Sequence, residues 1–176
     1  MEEKKEKILY EEEFKALNRA GINYAVCGGA AVVFFGFSRL TIDLDLIVSL
    51  EKENLEKLYD VLMRLNYKPK VPIKKEDFVQ KEKLEALGRE KNMKVVSFYN
   101  MKDPMKVIDT GVNLPNITEI LKRKRDVKVN SDFKIPLILI DDLIKMKEDV
   151  GREQDLIDVA QLKKIKQYEK NKKDTN

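Results

Sequence analysis

Residues 40–48 read LTIDLDLIV, and this stretch constrains the fold more than any other part of the chain. Apolar and polar side chains alternate with a period of two, a pattern that a strand sorts onto opposite faces and a helix does not. The alternation predicts a strand in which Thr41, Asp43 and Asp45 share one face, while Ile42, Leu44 and Leu46 share the other and enter the core. A strand with one wet face accounts for that pattern by itself. Two carboxylates two residues apart in so apolar a strand also repel each other, which raises a pKa or calls for a cation. Oxygen donors of this kind suit Mg²⁺ or Mn²⁺ rather than zinc.

Around this strand the chain reads as short strands and helices. Tyr10, Phe14 and Leu17 recur at helical spacing in the first twenty residues, and Gly21 stands where a C-cap belongs. Residues 22–26 predict a short buried strand that stops at Cys27-Gly28-Gly29, and residues 30–37 (AAVVFFGF) predict a short buried helix. Ser49 precedes a helix over residues 51–66 with Leu55, Leu58, Tyr59, Leu62 and Leu65 in one stripe. Pro69 and Pro72 then break the chain, and residues 74–90 are charged with a weak helical period. Residues 93–99 and 106–109 read as neighbouring strands about an Asp103-Pro104 turn. A helix over 116–124 and strands near Val127 and Leu137 follow. The tail predicts helices over 141–149 and 152–170, the second with a seam of Leu156, Val159, Leu162 and Ile165. No repeat or long linker divides the chain, so a single domain is expected over residues 1–176, with its core at 20–140 and C-terminal helices at 141–170.

Composition removes several chemistries. There is no histidine, which excludes Ser-His-Asp and Cys-His catalysis and histidine metal sites. The single cysteine, Cys27, rules out an internal disulfide and a Cys-clustered zinc site, and a cytoplasmic setting is expected. With no histidine to activate it, Cys27 reads as a small buried hydrophobe. The first residues, MEEKKEKILYEEE, lack an apolar signal-peptide core, and no apolar run approaches a membrane span. Lys and Arg number 35 against 31 Asp and Glu, a net charge of +4 that does not by itself imply nucleic acid. The runs Lys122-Arg123-Lys124-Arg125 and Lys163, Lys164, Lys166, Lys170, Lys172, Lys173 read either as RNA-phosphate contacts or as solvated helix faces. No aromatics are interleaved with them for base stacking.

Two further elements bear on chemistry. Gly28-Gly29 sits between a strand and a helix, where glycine lets backbone approach a ligand and a helix start offers N–H groups to an anion; a tight turn needs glycine equally. The P-loop and dinucleotide-binding patterns are absent. Asp109 ends the apolar run Val107-Ile108 and, alone, is a strand-ending aspartate before Thr110-Gly111. In chain order the elements run strand, Gly-Gly, buried helix, D-x-D strand, and a later strand with one more acid. Thirteen residues separate Gly29 from Asp43.

That order resembles the nucleotidyltransferase superfamily of the DNA-polymerase-β type, through VCGGA at 26–30, IDLDL at 42–46 and VID at 107–109. Within it, the chain is similar to small stand-alone prokaryotic proteins, including abortive-infection and toxin–antitoxin members. These often carry R-x-T-x-D-x-D, matched by Arg39, Thr41, Asp43 and Asp45, and a C-terminal helix pair like residues 145–162. The resemblance covers about residues 20–165. It implies an α+β polymerase-β-like nucleotidyltransferase fold, with a small mixed β-sheet flanked by helices and a C-terminal helical pair. It also implies Mg²⁺- or Mn²⁺-dependent transfer of a nucleoside monophosphate from an NTP, such as ATP, to a hydroxyl acceptor. Asp43, Asp45 and Asp109 would be the catalytic, metal-holding acids. Gly28, Gly29, Arg39, Thr41, Lys147 and Arg152 would meet the nucleotide. The acceptor stays open, with a tRNA or a protein among the choices, and an operon-encoded partner protein is expected from the toxin–antitoxin members. Arg152 and Asp155, three residues apart, also read as an ordinary helical ion pair. One departure stands out: many members place serine after the first glycine, whereas Gly29-Ala30-Ala31 has no hydroxyl. A fold kept for binding without turnover is therefore the second expectation.

Overall fold

The computed structural model describes residues 8–90, 94–112, 114–129 and 133–174. Its strands are β1 Tyr24–Val26, β2 Leu44–Val48, β3 Tyr67–Pro69, β4 Val95–Asn100, β5 Val107–Gly111, β6 Arg125–Lys128 and β7 Lys134–Leu137. They form one mixed seven-stranded sheet in the order β3-β4-β5-β2-β1-β7-β6. Among the described residues the helices are α1 Glu11–Arg19, α2 Gly28–Phe34, α3 Lys52–Arg64, α4 Lys75–Phe78, α5 Lys81–Glu90, α6 Ile117–Arg123, α7 Ile140–Val150 and α8 Glu153–Asp174. No described helix is long and apolar enough to cross a membrane.

Two central strands organise the site. β2 runs antiparallel to β1 and parallel to β5. All of β1 is buried, as befits a strand covered on both faces. Helices α2 and α6 pack on β2, α3 packs on β3, and α7 meets both α2 and α8. Phe14, Leu17, Leu44, Leu46, Leu58, Leu62 and Phe98 are fully buried in the core. Each such side chain contributes about 1.5–3 kcal/mol of transfer free energy.

Several boundaries differ from the sequence reading, each for a physical reason. The strand expected over 40–48 begins only at Leu44, because the β5 ladder starts at Leu44↔Ile108 and the β1 ladder reaches no further back than Leu46. Without a pairing partner, residues 40–43 leave the sheet, so Thr41 lies on no strand face. Ile42, expected in the core, is 42% exposed, and Leu40 is 85% exposed. α2 starts at Gly28 rather than Ala30, which puts both glycines in its first turn. The charged stretch at 74–90 splits into α4 and α5. In β4 the ladder begins at Val95; Met93 lies outside the described residues, as do residues 1–7 of the expected first helix.

The seam of α8 is the largest correction. Leu156 is 57% exposed, and the buried stripe runs through Asp155, Asp158, Val159 and Leu162. Its first two positions are aspartates because cations face them from other elements.

Candidate active site

The parallel register of β2 and β5 sets Asp45 opposite Asp109. Side chains paired in this way leave the sheet on the same face, while Leu44, Leu46, Ile108 and Thr110 point into the core. Burial, then the neighbouring Asp109 charge, push the Asp45 carboxyl up to about 6; the Gly29 N–H and Lys147 pull the other way. Asp109 Oδ1 is buried without a hydrogen-bond partner. Such an orphan carboxylate oxygen is rare enough to ask for an explanation. Asp43 stands at a bend just before β2, exposed. Among the described residues no three acidic, cysteine or histidine side chains form a ready-made metal cluster. The acids therefore divide into a close pair, Asp45 and Asp109, and Asp43 one step out on the rim.

The glycine pair is demanded from two sides. Gly28 has φ 58°, and a Cβ there would overlap the Asp45 carboxylate. At Gly29 a Cβ would lie 2.6 Å from Thr41 Oγ1 and 3.3 Å from Arg39 Nη2. Turn geometry accounts for Gly28 only in part; close approach of the D-x-D segment accounts for the rest and for Gly29.

Three cations border the acids, and two buried aspartates on α8 hold them. Arg39 Nη1 lies 2.5 Å from Asp158, and Lys147 Nζ lies 2.7 Å from Asp158 and 3.1 Å from Asp155. Arg152 Nε meets Asp155 at 2.7 Å, the helical pair read from the spacing. Gln154 Nε2 donates to Asp158 at 3.1 Å. Asp155 and Asp158 are 2% and 0% exposed. Burial alone raises the Asp155 carboxyl, but hydrogen bonds from Arg152 and Lys147 outweigh it and hold the group below its usual range. The sequence reading missed both as site residues. The available signal was a pair of aspartates three apart on the stripe that continues through Val159 and Leu162.

These elements enclose a cavity of about 610 Å³. Gly28, Gly29, Arg39, Thr41, Asp43, Asp45, Asp109, Lys147 and Arg152 all line it, so every site residue named from the sequence meets there. The remaining wall is largely apolar, through Leu40, Ile42, Val95, Leu143, Met146 and Val150. The volume falls in the range of small-ligand sites, about 300–1,000 Å³. Cys27 is buried beneath, and burial pushes its thiol well above the usual range, as a hydrophobe rather than a nucleophile. The basic runs are elsewhere and largely paired. Lys122 meets Glu119 at 3.0 Å, Arg123 meets Asp142 at 2.7 Å, and Arg125 stacks 4.8 Å from the Phe35 ring centroid. Lys163 pairs with Glu148 and Lys166 with Asp141; the side chain of Lys173 lies outside the described residues.

The donor set fits a hard divalent cation. It offers carboxylate oxygens only, in an in-register pair, and one oxygen is buried without a partner.

No family model matches the chain, and no curated protein matches its sequence. Solved structures do match its fold. A lincosamide antibiotic adenylyltransferase, LnuA with lincomycin bound, superposes with a TM-score of 0.58 at 16% identity over 88% of this chain and 94% of its own. An antigenic nucleotidyltransferase-like protein from Paracoccidioides brasiliensis gives 0.51 at 14% identity, over 86% and 72% of the two chains. A Thermotoga maritima protein described as a nucleotidyltransferase gives 0.50 at 12% identity, over 94% and 98%. The chain thus has the α+β nucleotidyltransferase fold that its motif order resembles.

Proposed function

We propose that the chain is a divalent-metal-dependent nucleotidyltransferase that moves a nucleoside monophosphate from an NTP, ATP among them, to a hydroxyl acceptor. The observation that carries this reading is the in-register Asp45–Asp109 pair with its unpartnered buried oxygen, set in a cavity rimmed by Arg39, Lys147 and Arg152.

In this reading Asp45 and Asp109, with Asp43 from the rim, hold Mg²⁺ or Mn²⁺. An ion held there would supply charge neutralisation for the phosphates and a more acidic acceptor hydroxyl. Arg39, Lys147 and Arg152 meet the remaining phosphate charge, and the Gly28-Gly29 turn lets the phosphates approach the backbone. Three carboxylates repel a triphosphate, so nucleotide and cation bind together. The acceptor hydroxyl gives up its proton to water and its oxygen forms a bond to the α-phosphorus as the bond to pyrophosphate breaks; in this reading Asp109 is the acid nearer the acceptor. The apolar wall of Leu40, Ile42 and Met146 suits a small acceptor of the kind named for the lincosamide enzyme. A tRNA end or a protein side chain, including one on an operon-encoded partner, belongs in the same acceptor panel.

The test follows transfer of α-labelled NMP with Mg²⁺ or Mn²⁺ across that panel. Asp45→Asn is expected to lower transfer by at least about 10³-fold, the loss of several kcal/mol of transition-state stabilisation. Transfer that persists in that variant removes the assignment.

A second reading, nucleotide binding without turnover, is favoured by one specific feature: Gly29-Ala30-Ala31 offers no hydroxyl, and the Gly29 N–H faces Asp45 instead of the cavity's contents. Calorimetry with each NTP, with and without Mg²⁺, separates the two. Tight binding with no transfer to any acceptor supports the second.

A further inference from the structure

Tyr10 is at the N-cap of α1 in a left-handed conformation, φ 65°, although it carries a large side chain. Such a backbone costs a non-glycine residue on the order of 1–2 kcal/mol and persists only where its surroundings impose it. Here they do. The ring is 4% exposed, and its hydroxyl reaches both acid-bearing segments at the place where their ladder ends.

The β2–β5 ladder starts at Leu44↔Ile108, leaving the chain before Leu44 without a strand partner. Tyr10 Oη fills that gap. It lies 2.7 Å from the Ile42 carbonyl and accepts the Val107 N–H at 3.0 Å. The Val107 carbonyl is also 3.0 Å away, but a hydroxyl has one proton, and the shorter contact to Ile42 takes it. The bridged residues are Ile42, immediately before Asp43, and Val107, two before Asp109. Arg39, at the start of the 39–43 segment, is held by Asp158. Between Leu40 and Asp43 the other hydrogen bonds among the described residues are long: Thr41 Oγ1 to the Asp43 carbonyl at 3.5 Å and Arg39 Nε to the Leu40 carbonyl at 3.4 Å. The tyrosine is itself braced. Lys106 Nζ sits 5.3 Å above its ring and pairs with buried Glu13 at 2.8 Å, and Tyr67 Oη donates to the same carboxylate at 2.7 Å.

We propose that Tyr10 is a positioning residue: through its hydroxyl it ties the Asp43 segment to β5 and so sets where Asp43 stands relative to the Asp45–Asp109 pair. The inference rests on the reading of these acids as cation ligands, and nothing in the sequence pattern announced it. Tyr10 touches none of the three carboxylates in the hydrogen bonds described and acts only through backbone.

The experiment measures Mn²⁺ alone, by electron paramagnetic resonance, binding to the full chain. Tyr10→Phe keeps the ring and removes the hydroxyl, and it is expected to weaken Mn²⁺ by about 10-fold, the loss typical of a lost outer partner. In an Asp43→Asn background the same change is expected to add nothing, because the route runs through Asp43. Tyr24→Phe removes a buried tyrosine's hydroxyl that donates to Asn18 Oδ1 at 2.9 Å, outside the Tyr10 network; it is expected to lower the melting temperature without changing Mn²⁺ affinity. Wild-type affinity in Tyr10→Phe, whatever its stability, overturns the proposal, as does an undiminished effect in the Asp43→Asn background. If Tyr10→Phe does not fold, hydrogen exchange on the wild-type chain decides: the Val107 amide, which donates to Tyr10 Oη, is expected to be as protected as the ladder amides of β5, and exchange at the rate of an unbonded amide overturns the inference. Mn²⁺ binding without nucleotide transfer would remove the enzymatic reading and leave Tyr10 to be judged on the metal alone. No Mn²⁺ binding removes both.

Discussion

Arg39 Nη1 lies 2.5 Å from the carboxylate of Asp158, 119 positions further along the chain and fully buried in α8. This contact ties the loop that leads into the D-x-D segment to the C-terminal helices, and it shares its acceptor with Lys147. Removing the carboxylate leaves two cations without it, one of them buried. Asp158→Asn is expected to destabilise the protein by about 3–5 kcal/mol, the cost of breaking a buried pair by deleting one partner. Arg152 also pairs with Asp155, but its side chain is 76% exposed, so Arg152→Ala is expected to cost under about 1 kcal/mol. Thermal or urea unfolding of both variants checks the contrast; comparable losses would show that burial does not govern this network.

Gly28 and Gly21 offer a controlled comparison of strain and crowding. Both have positive φ, but a Cβ at Gly21 meets nothing within 4 Å, whereas at Gly28 it overlaps Asp45. Gly21→Ala is expected to cost on the order of 1–2 kcal/mol, the left-handed backbone term alone. Gly28→Ala should cost more and should also impair Mn²⁺ binding, which Gly21→Ala should leave intact. Stability and metal titrations on the two variants measure the difference.

The raised Asp45 pKa makes a signed prediction. Its value in the fold, about 6, lies above the ordinary 3.8, because burial and Asp109 disfavour the charge. The fold therefore holds this proton more tightly than the unfolded chain does. The resulting stabilisation is complete below pH 3.8 and is lost as pH rises through about 6. At most it amounts to about 3 kcal/mol. Asp45→Asn, a permanent stand-in for the neutral form, should be more stable than the wild type at pH 7–8 and should converge with it near pH 4. Parallel melting curves across that range, without added metal, would contradict the burial argument.

On α8, Leu162 and Leu156 should respond in opposite ways. Leu162 is fully buried and Leu156 mostly exposed. Leu162→Ala is expected to cost about 2–5 kcal/mol. Leu156→Lys should stay within about 0.5 kcal/mol, as surface changes generally do. A large loss at Leu156 would restore the helix seam expected from periodicity.

The sequence by itself determined the local half of this protein. Alternation in residues 40–48 announced the strand and Asp45 upon it, though not that Asp43 stands at a bend outside it; Gly28-Gly29 marked the strand-to-helix junction, and motif order reached as far as Asp109. The first two are properties of neighbours along the chain, where side-chain period is set; Asp109 was reached only through the order of motifs over residues 26–109. Only the tertiary structure decided the rest. The strand starts at Leu44 because its ladder partners come from β1 and β5, and a ladder cannot begin where a partner is missing. Leu156 lies outside and Asp155 and Asp158 inside because Lys147 and Arg39 arrive from other elements to compensate the charges, which a hydropathy pattern cannot register. The opposition of Asp45 and Asp109, like the reach of Tyr10 to both strands, depends on register and distance between segments far apart in the chain, and these exist only once the sheet has formed.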